Sequence, residues 1–262
     1  MLNPQTKQRP QGLFLSLDLI TDFLFLIVSA IAGAIASVTG FGIGSILTPI
    51  LALETGTKLA VAVISIPHFV ATVIRFWLMR AHVNKKVLMG FGITSALGGL
   101  IGALLHSTFQ SSVLTFIFGG LLIFAGFMGF TGLAQKMRFH GPIAWVAGAL
   151  SGGFGGLVGN QGGIRSAALM AFNLPKESLI ATATAIGVIV DLARMPIYFA
   201  SGFEQIAASW VWIVIGTLGV MLGTWFGARF LRKISESVFR KILGAVIFSL
   251  GLYMIIRQSL LN

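Results

Sequence analysis

The sequence predicts an all-α polytopic membrane protein made of two internal repeats, inverted relative to one another, each opening with a Gly-rich broken or re-entrant helix. Three observations predict this. Hydrophobic residues make up 56% of the 262 and charged residues only 10%, and the mean hydropathy is +0.95. Residues 23–53 and 87–135 hold no Asp, Glu, Lys or Arg. A spanning helix needs about 20 apolar residues, so the longer run holds two spans and a short polar turn. Third, a glycine-dense stretch occurs twice. Residues 148–163 carry glycine at eight of sixteen positions, and residues 33–49 contain the earlier, sparser copy.

Eight apolar segments follow in order: 23–53, 59–79, 87–106, 111–134, 142–173, 178–200, 208–228 and 238–257. They divide into a polar or amphipathic N-terminal segment (1–22), a first membrane repeat (23–134), a basic linker (135–141) and a second membrane repeat (142–262). At an offset of 119, Gly44 matches Gly163 and Arg75 matches Arg194. Further on, Gly98 and Gly102 match Gly219 and Gly223 at an offset of 121, and Gly119 pairs with Gly244. The GxxxG spacings in segments three and seven (98/102, 219/223) suit close helix packing. Trp77, Trp210 and Trp212 fall near segment ends, where aromatic residues anchor at the membrane interface.

Loop charge tests the topology. With the N-terminus inside and all eight segments spanning, loop Lys and Arg divide 8 inside to 7 outside. If the fifth segment enters and returns on one side, the division becomes 13 to 2. Lys and Arg bias sets orientation, which favours halves of opposite orientation. The same pattern accounts for the net charge of +11 without nucleic acid as a partner. Zero cysteines exclude disulfides, thiol catalysis and thiolate metal sites. No Walker A lysine follows the glycines and no GxSxG occurs, so ATP hydrolysis and serine hydrolase chemistry lack a basis. No metal-ligand spacing or cofactor signature is visible.

The candidate binding residues sit in the two glycine motifs. A helix interrupted within the membrane presents free N–H groups at the start of its second half, and these attract an anion. In the first copy these residues are Thr39, Gly40, Phe41, Gly42, Gly44 and Ser45, with Pro49 marking a boundary; in the second they are Gly159, Asn160, Gln161, Gly162, Gly163 and Arg165. Asn160 and Gln161 add donors, and Arg165 adds a charge able to grip an oxyanion through two hydrogen bonds. Asp191 is the one acid well inside an apolar segment, with Arg194 three residues on. Intramembrane ionisable groups are functional candidates, and a self-neutralising pair is the equal alternative. Arg75 has Thr72 where Asp191 would stand, so it is either interfacial or differently partnered. His68, after Pro67, is a proton-coupling candidate or a structural histidine. Together His68, Asp191, Arg194 and Arg75 are the coupling or gating candidates. His82, His106 and His140 lie in or near connections and are expected to be solvated. Thr182 and Thr184 either line a cavity or bond back to their own helix.

Gly40-Phe41-Gly42-Ile43-Gly44 with Pro49 five positions on, a second Gly-rich segment after a basic loop, and the two-half layout resemble the TauE/SafE family of sulfite exporters and sulfonate permeases. The resemblance covers residues 25 to 257. The second copy departs from it, with Ala168 where Pro49 falls and Asn160-Gln161 ahead of the glycine pair. The resemblance implies a multi-pass carrier of the bacterial inner membrane for small sulfur-containing anions such as sulfite or organosulfonates. Its partners would be the lipid bilayer and a small anionic substrate, with homo-oligomerisation open and no cofactor. The alternatives are a same-fold carrier of a small carboxylate, ion-coupled uptake, and a membrane-embedded enzyme or assembly factor, for which no nucleophile or metal cluster is visible.

Overall fold

The computed structural model describes residues 11–133, 142–160, 162–170, 172–231 and 236–261, and among these it contains helices and turns but no strand. The basic linker 135–141, Gln161 and His140 lie outside the described residues. Among the described residues, six helices are long and apolar enough to cross a membrane: Leu19–Thr39, Thr57–His82, Lys85–Thr108, Ser111–Thr131, Lys176–Ala208 and Val238–Leu261. The chain is therefore a multi-pass membrane protein.

Helix α1 (Gln11–Thr39) stops where Gly40 and Gly42 take φ of 80° and 120°, a region closed to most L-residues. Helix α2 (Ile43–Thr55) restarts immediately. Pro49 lies inside α2 and not at its boundary; the glycines before it make the break. Gly56 turns the chain into α3 (Thr57–Met79). Asn84 then caps the short α4 (Lys85–Val87), its side chain accepting from the Val87 N–H at 3.0 Å. A π-helical turn at Leu88–Gly92 joins α4 to α5 (Ile93–Thr108), completing one span. Helix α6 (Ser111–Thr131) ends at Gly132 in the left-handed conformation.

Helix α7 (Pro142–Val158) opens on a proline, whose missing N–H costs nothing in a first turn. It stops at Gly159, with φ of 73°. Helix α8 (Gly162–Met170) is short, and α9 (Lys176–Ala208) is long with a non-helical residue at Gly202. Helices α10 (Trp210–Leu231) and α11 (Glu236–Leu261) complete the chain.

The pairing of helices decides where the site forms. Helix α1 packs against α10, α7 against α5, α6 against α11, and α3 against α9. In lipid, association relies on close van der Waals approach, so small residues line these seams. A Cβ at Gly223 would sit 1.8 Å from the Ala30 carbonyl oxygen, and one at Gly102 would sit 2.0 Å from that of Gly153. The α3–α9 pair stands at the centre, touching α10 on one side and α5 on the other. Every polar side chain of the site projects from, or is held by, this pair and the two breaks. Large apolar residues such as Leu100, Phe124 and Trp225 are exposed on the outside, as lipid contact requires.

Candidate functional site

The two breaks meet. A Cβ at Gly44 would lie 2.4 Å from the Gly159 carbonyl oxygen, and one at Gly162 would lie 2.2 Å from the Phe41 Cβ. Ser45 Oγ donates to Asn160 Oδ1 at 3.2 Å, tying the start of α2 to the second break. A small cavity results, lined by Gly40, Phe41, Gly42, Gly44, Ser45, His68, Gly159, Asn160, Gly162 and Arg165. Most of the predicted binding residues are thus brought together. Thr39 is not among them: its hydroxyl proton is shared between the Ile35 and Phe41 carbonyls, 2.9 and 2.7 Å away, and its oxygen accepts from the Phe41 N–H, knitting the break internally. Gly163 lies in the first turn of α8.

A broken helix has two raw ends of opposite sign, and the chain treats them differently. The carbonyl ends are capped. Arg75 Nη1 donates to the Ala36 carbonyl at the end of α1, and Arg194 Nη1 donates to that of Gly155 at the end of α7, at 2.7 Å. Tyr198 donates to the Gly156 carbonyl, and His106 Nδ1 lies 2.8 Å from the Leu157 oxygen. Guanidinium groups at helix C-termini also oppose the helix dipole. At the amide end of α2 there is no side-chain cap, because Gly42, which precedes it, has no side chain to offer. Capped carbonyls beside the uncapped start of α2 make a cavity that favours an anion.

His106 is 2% exposed, which corrects the expectation that it is solvated. It stands four residues after Gly102, which stands four after Gly98, so it continues the stripe that packs on α7; that spacing was the signal. Tyr198 carried no such signal. Arg75 is 5% exposed and bonded to Ala36 and Thr72, so it is not interfacial. Thr184 bonds back to Ile180, and Thr182 accepts from the Asn84 N–H. Of the tryptophans, Trp77 and Trp210 are exposed, with the Arg80 guanidinium 4.0 Å from the Trp77 ring centroid. Trp212 instead packs edge-on against Phe25 with centroids 4.9 Å apart.

Asp191, wholly buried, is held from two sides. Arg194 Nε and Nη2 reach Oδ1 at 3.0 and 2.9 Å, and His68 Nδ1 reaches Oδ2 at 2.7 Å. Burying a lone carboxylate would cost several kcal/mol, and this pairing offsets it. Arg165 differs. Its Nη1 donates to the Ala183 carbonyl at 3.0 Å, while Nε and Nη2 are buried without a partner. Among the described residues the unpartnered buried nitrogens belong to Arg165 and Arg75. A larger cavity lies elsewhere, between Gly56, Ser111 and Arg257, but Arg257 there is bonded to the Leu53 carbonyl at 3.0 Å. A guanidinium with free donors on a cavity beside the uncapped start of α2 can bind a small oxyanion.

A family model described as sulfite exporter TauE/SafE matches residues 25–254. Searches of curated proteins and of solved structures find no match.

Proposed function

Since the chain belongs to the TauE/SafE sulfite exporter family, a family of membrane transporters and not of enzymes, we propose that it exports a small sulfur-containing anion, sulfite or an organosulfonate, across the bacterial inner membrane. The observation that carries the site is Arg165, whose Nε and Nη2 are buried without partners beside the cavity between the breaks. The substrate binds there between the starts of α2 and α8, with Ser45 and Asn160 beside it.

Alternating access of two inverted halves around this site is the mechanism we infer. Contacts that recur at one offset support it. Arg75 on Ala36 and Arg194 on Gly155 are related by 119 residues, as are the bonds from the Gly40 N–H to Ala36 and from the Gly159 N–H to Gly155. Direction follows from energetics. Moving one charge across 100 mV is worth roughly 2.3 kcal/mol, so an inside-negative potential expels anions unaided. Asp191 is engaged by Arg194 and His68 and does not line the cavity, so it offers no free carboxylate for a coupling cation.

Proteoliposomes loaded with sulfite test the reading. Efflux should accelerate under an inside-negative potassium diffusion potential, with no proton or sodium gradient, and Arg165→Ala should abolish it. A requirement for an imposed ion gradient would make this coupled uptake. Transport of acetate with none of sulfite or short sulfonates would keep the carrier and discard sulfur.

A further inference from the structure

The breaks hold more positive charge than the chain neutralises. Among the described residues the buried acidic and basic side chains are Arg75, Arg165, Arg194, Asp191, His68 and His106. Three guanidiniums, which stay charged in proteins, face a single carboxylate. Asp191 is saturated by Arg194 and His68, so the excess falls on Arg75 and Arg165. We propose that the cavity binds its anion as a dianion, the ligand supplying the two negative charges that the buried chain lacks; this rests on the anion-carrier reading above and deepens it.

The two cations are close and incompletely bonded. Arg165 Nη1 and Thr72 Cγ2 each lie 3.1 Å from the point where a Cβ on Gly187 would stand, and Arg75 Nη2 donates to Thr72 Oγ1 at 3.3 Å. Arg165, which lines the cavity, and Thr72, which holds Arg75 behind it, therefore share the space beside Gly187. Arg75 at least meets the carbonyl end of α1, which carries roughly half a negative charge. Arg165 stands in the first turn of α8, where the helix dipole opposes a cation. Arg75 is thus compensated only in part and Arg165 not at all, and an uncompensated buried ion is costly in an empty protein. A monoanion would leave one charge unmatched, whereas a dianion matches both.

The repeat shows how the surplus arises. Arg194 has Asp191 three residues before it, and at the corresponding place before Arg75 stands Thr72. The first half thus keeps the arginine and omits its counter-ion.

Anions of one shape and different charge test this. Affinities of purified protein at constant ionic strength and neutral pH would be measured for sulfate and thiosulfate against perchlorate and methanesulfonate. The dianions should bind at least about tenfold tighter, since one extra charge at contact distance in a partly buried site is worth more than that factor. Arg165→Gln should shrink the ratio toward one. Thr72→Asp, which keeps every guanidinium and supplies the missing carboxylate beside Arg75, should shrink it as well; it serves where Arg165→Gln does not fold. Lys58→Gln, remote from the cavity, should leave the ratio unchanged. Equal binding of perchlorate and sulfate by the unaltered protein would overturn the dianion while leaving an anion site. A ratio untouched in both cavity variants would also overturn it. Absence of binding by any of the four anions would instead sink the anion-carrier reading itself.

Discussion

Removing Arg194 separates two accounts of what holds the centre of this protein together. In Arg194→Leu, Asp191 loses both nitrogens that reach Oδ1 and keeps only His68 on Oδ2. The Gly155 carbonyl loses one donor but keeps the Gly159 N–H at 3.0 Å, so it is not orphaned. If the network matters as charge, stranding a carboxylate that is 0% exposed should cost about 3–5 kcal/mol. If it matters only as hydrogen bonding, the one interhelical bond lost, to Gly155, is of a kind that averages about 0.6 kcal/mol in membranes, and with the bonds inside α9 the total would stay near 1. The first estimate should win because the carboxylate has no water to return to. Reversible unfolding in mixed micelles measures the difference. The double variant Asp191→Asn/Arg194→Leu removes both charges together and should recover most of the loss. A single-variant loss below about 1 kcal/mol, or a double variant no better than the single, would refute the reasoning.

Three further outcomes follow from the same geometry. Gly44→Ala places a methyl 2.4 Å from the Gly159 carbonyl oxygen, so the breaks must separate; a loss of about 1–3 kcal/mol and of transport is expected by unfolding and efflux assays. His106→Phe keeps ring contact with Tyr198, whose centroid is 4.7 Å away, but leaves the Leu157 carbonyl without that partner; we expect about 1–3 kcal/mol of destabilisation and faster hydrogen exchange around Gly159. Thr39→Val removes only local bonds to Ile35 and Phe41, so stability should fall by about 1 kcal/mol while anion affinity in a titration stays as it was.

Much of this was legible along the chain. The positions where α1 and α7 stop are local events: Gly40 and Gly159 adopt backbone angles that their own lack of a side chain permits. Arg165 stands beside a polar pair in an apolar run, and its oddity is visible without a fold. His68 and Asp191 were each visible as a polar group in the wrong solvent, but they are 123 residues apart, and nothing in either neighbourhood announces the 2.7 Å contact between them.

The sequence by itself determined the solvent, the helices, their interruptions and the family. Those depend on hydropathy summed over a span and on glycine's backbone freedom, both read within one stretch of chain. Only the tertiary structure decided which side chains cap the carbonyl ends of α1 and α7. It turned Arg75 inward to the Ala36 carbonyl, spent Asp191 on Arg194 and His68, and left Arg165 with free donors. The reason is that a buried charge is defined by its neighbours, and here those neighbours come from helices far apart along the chain.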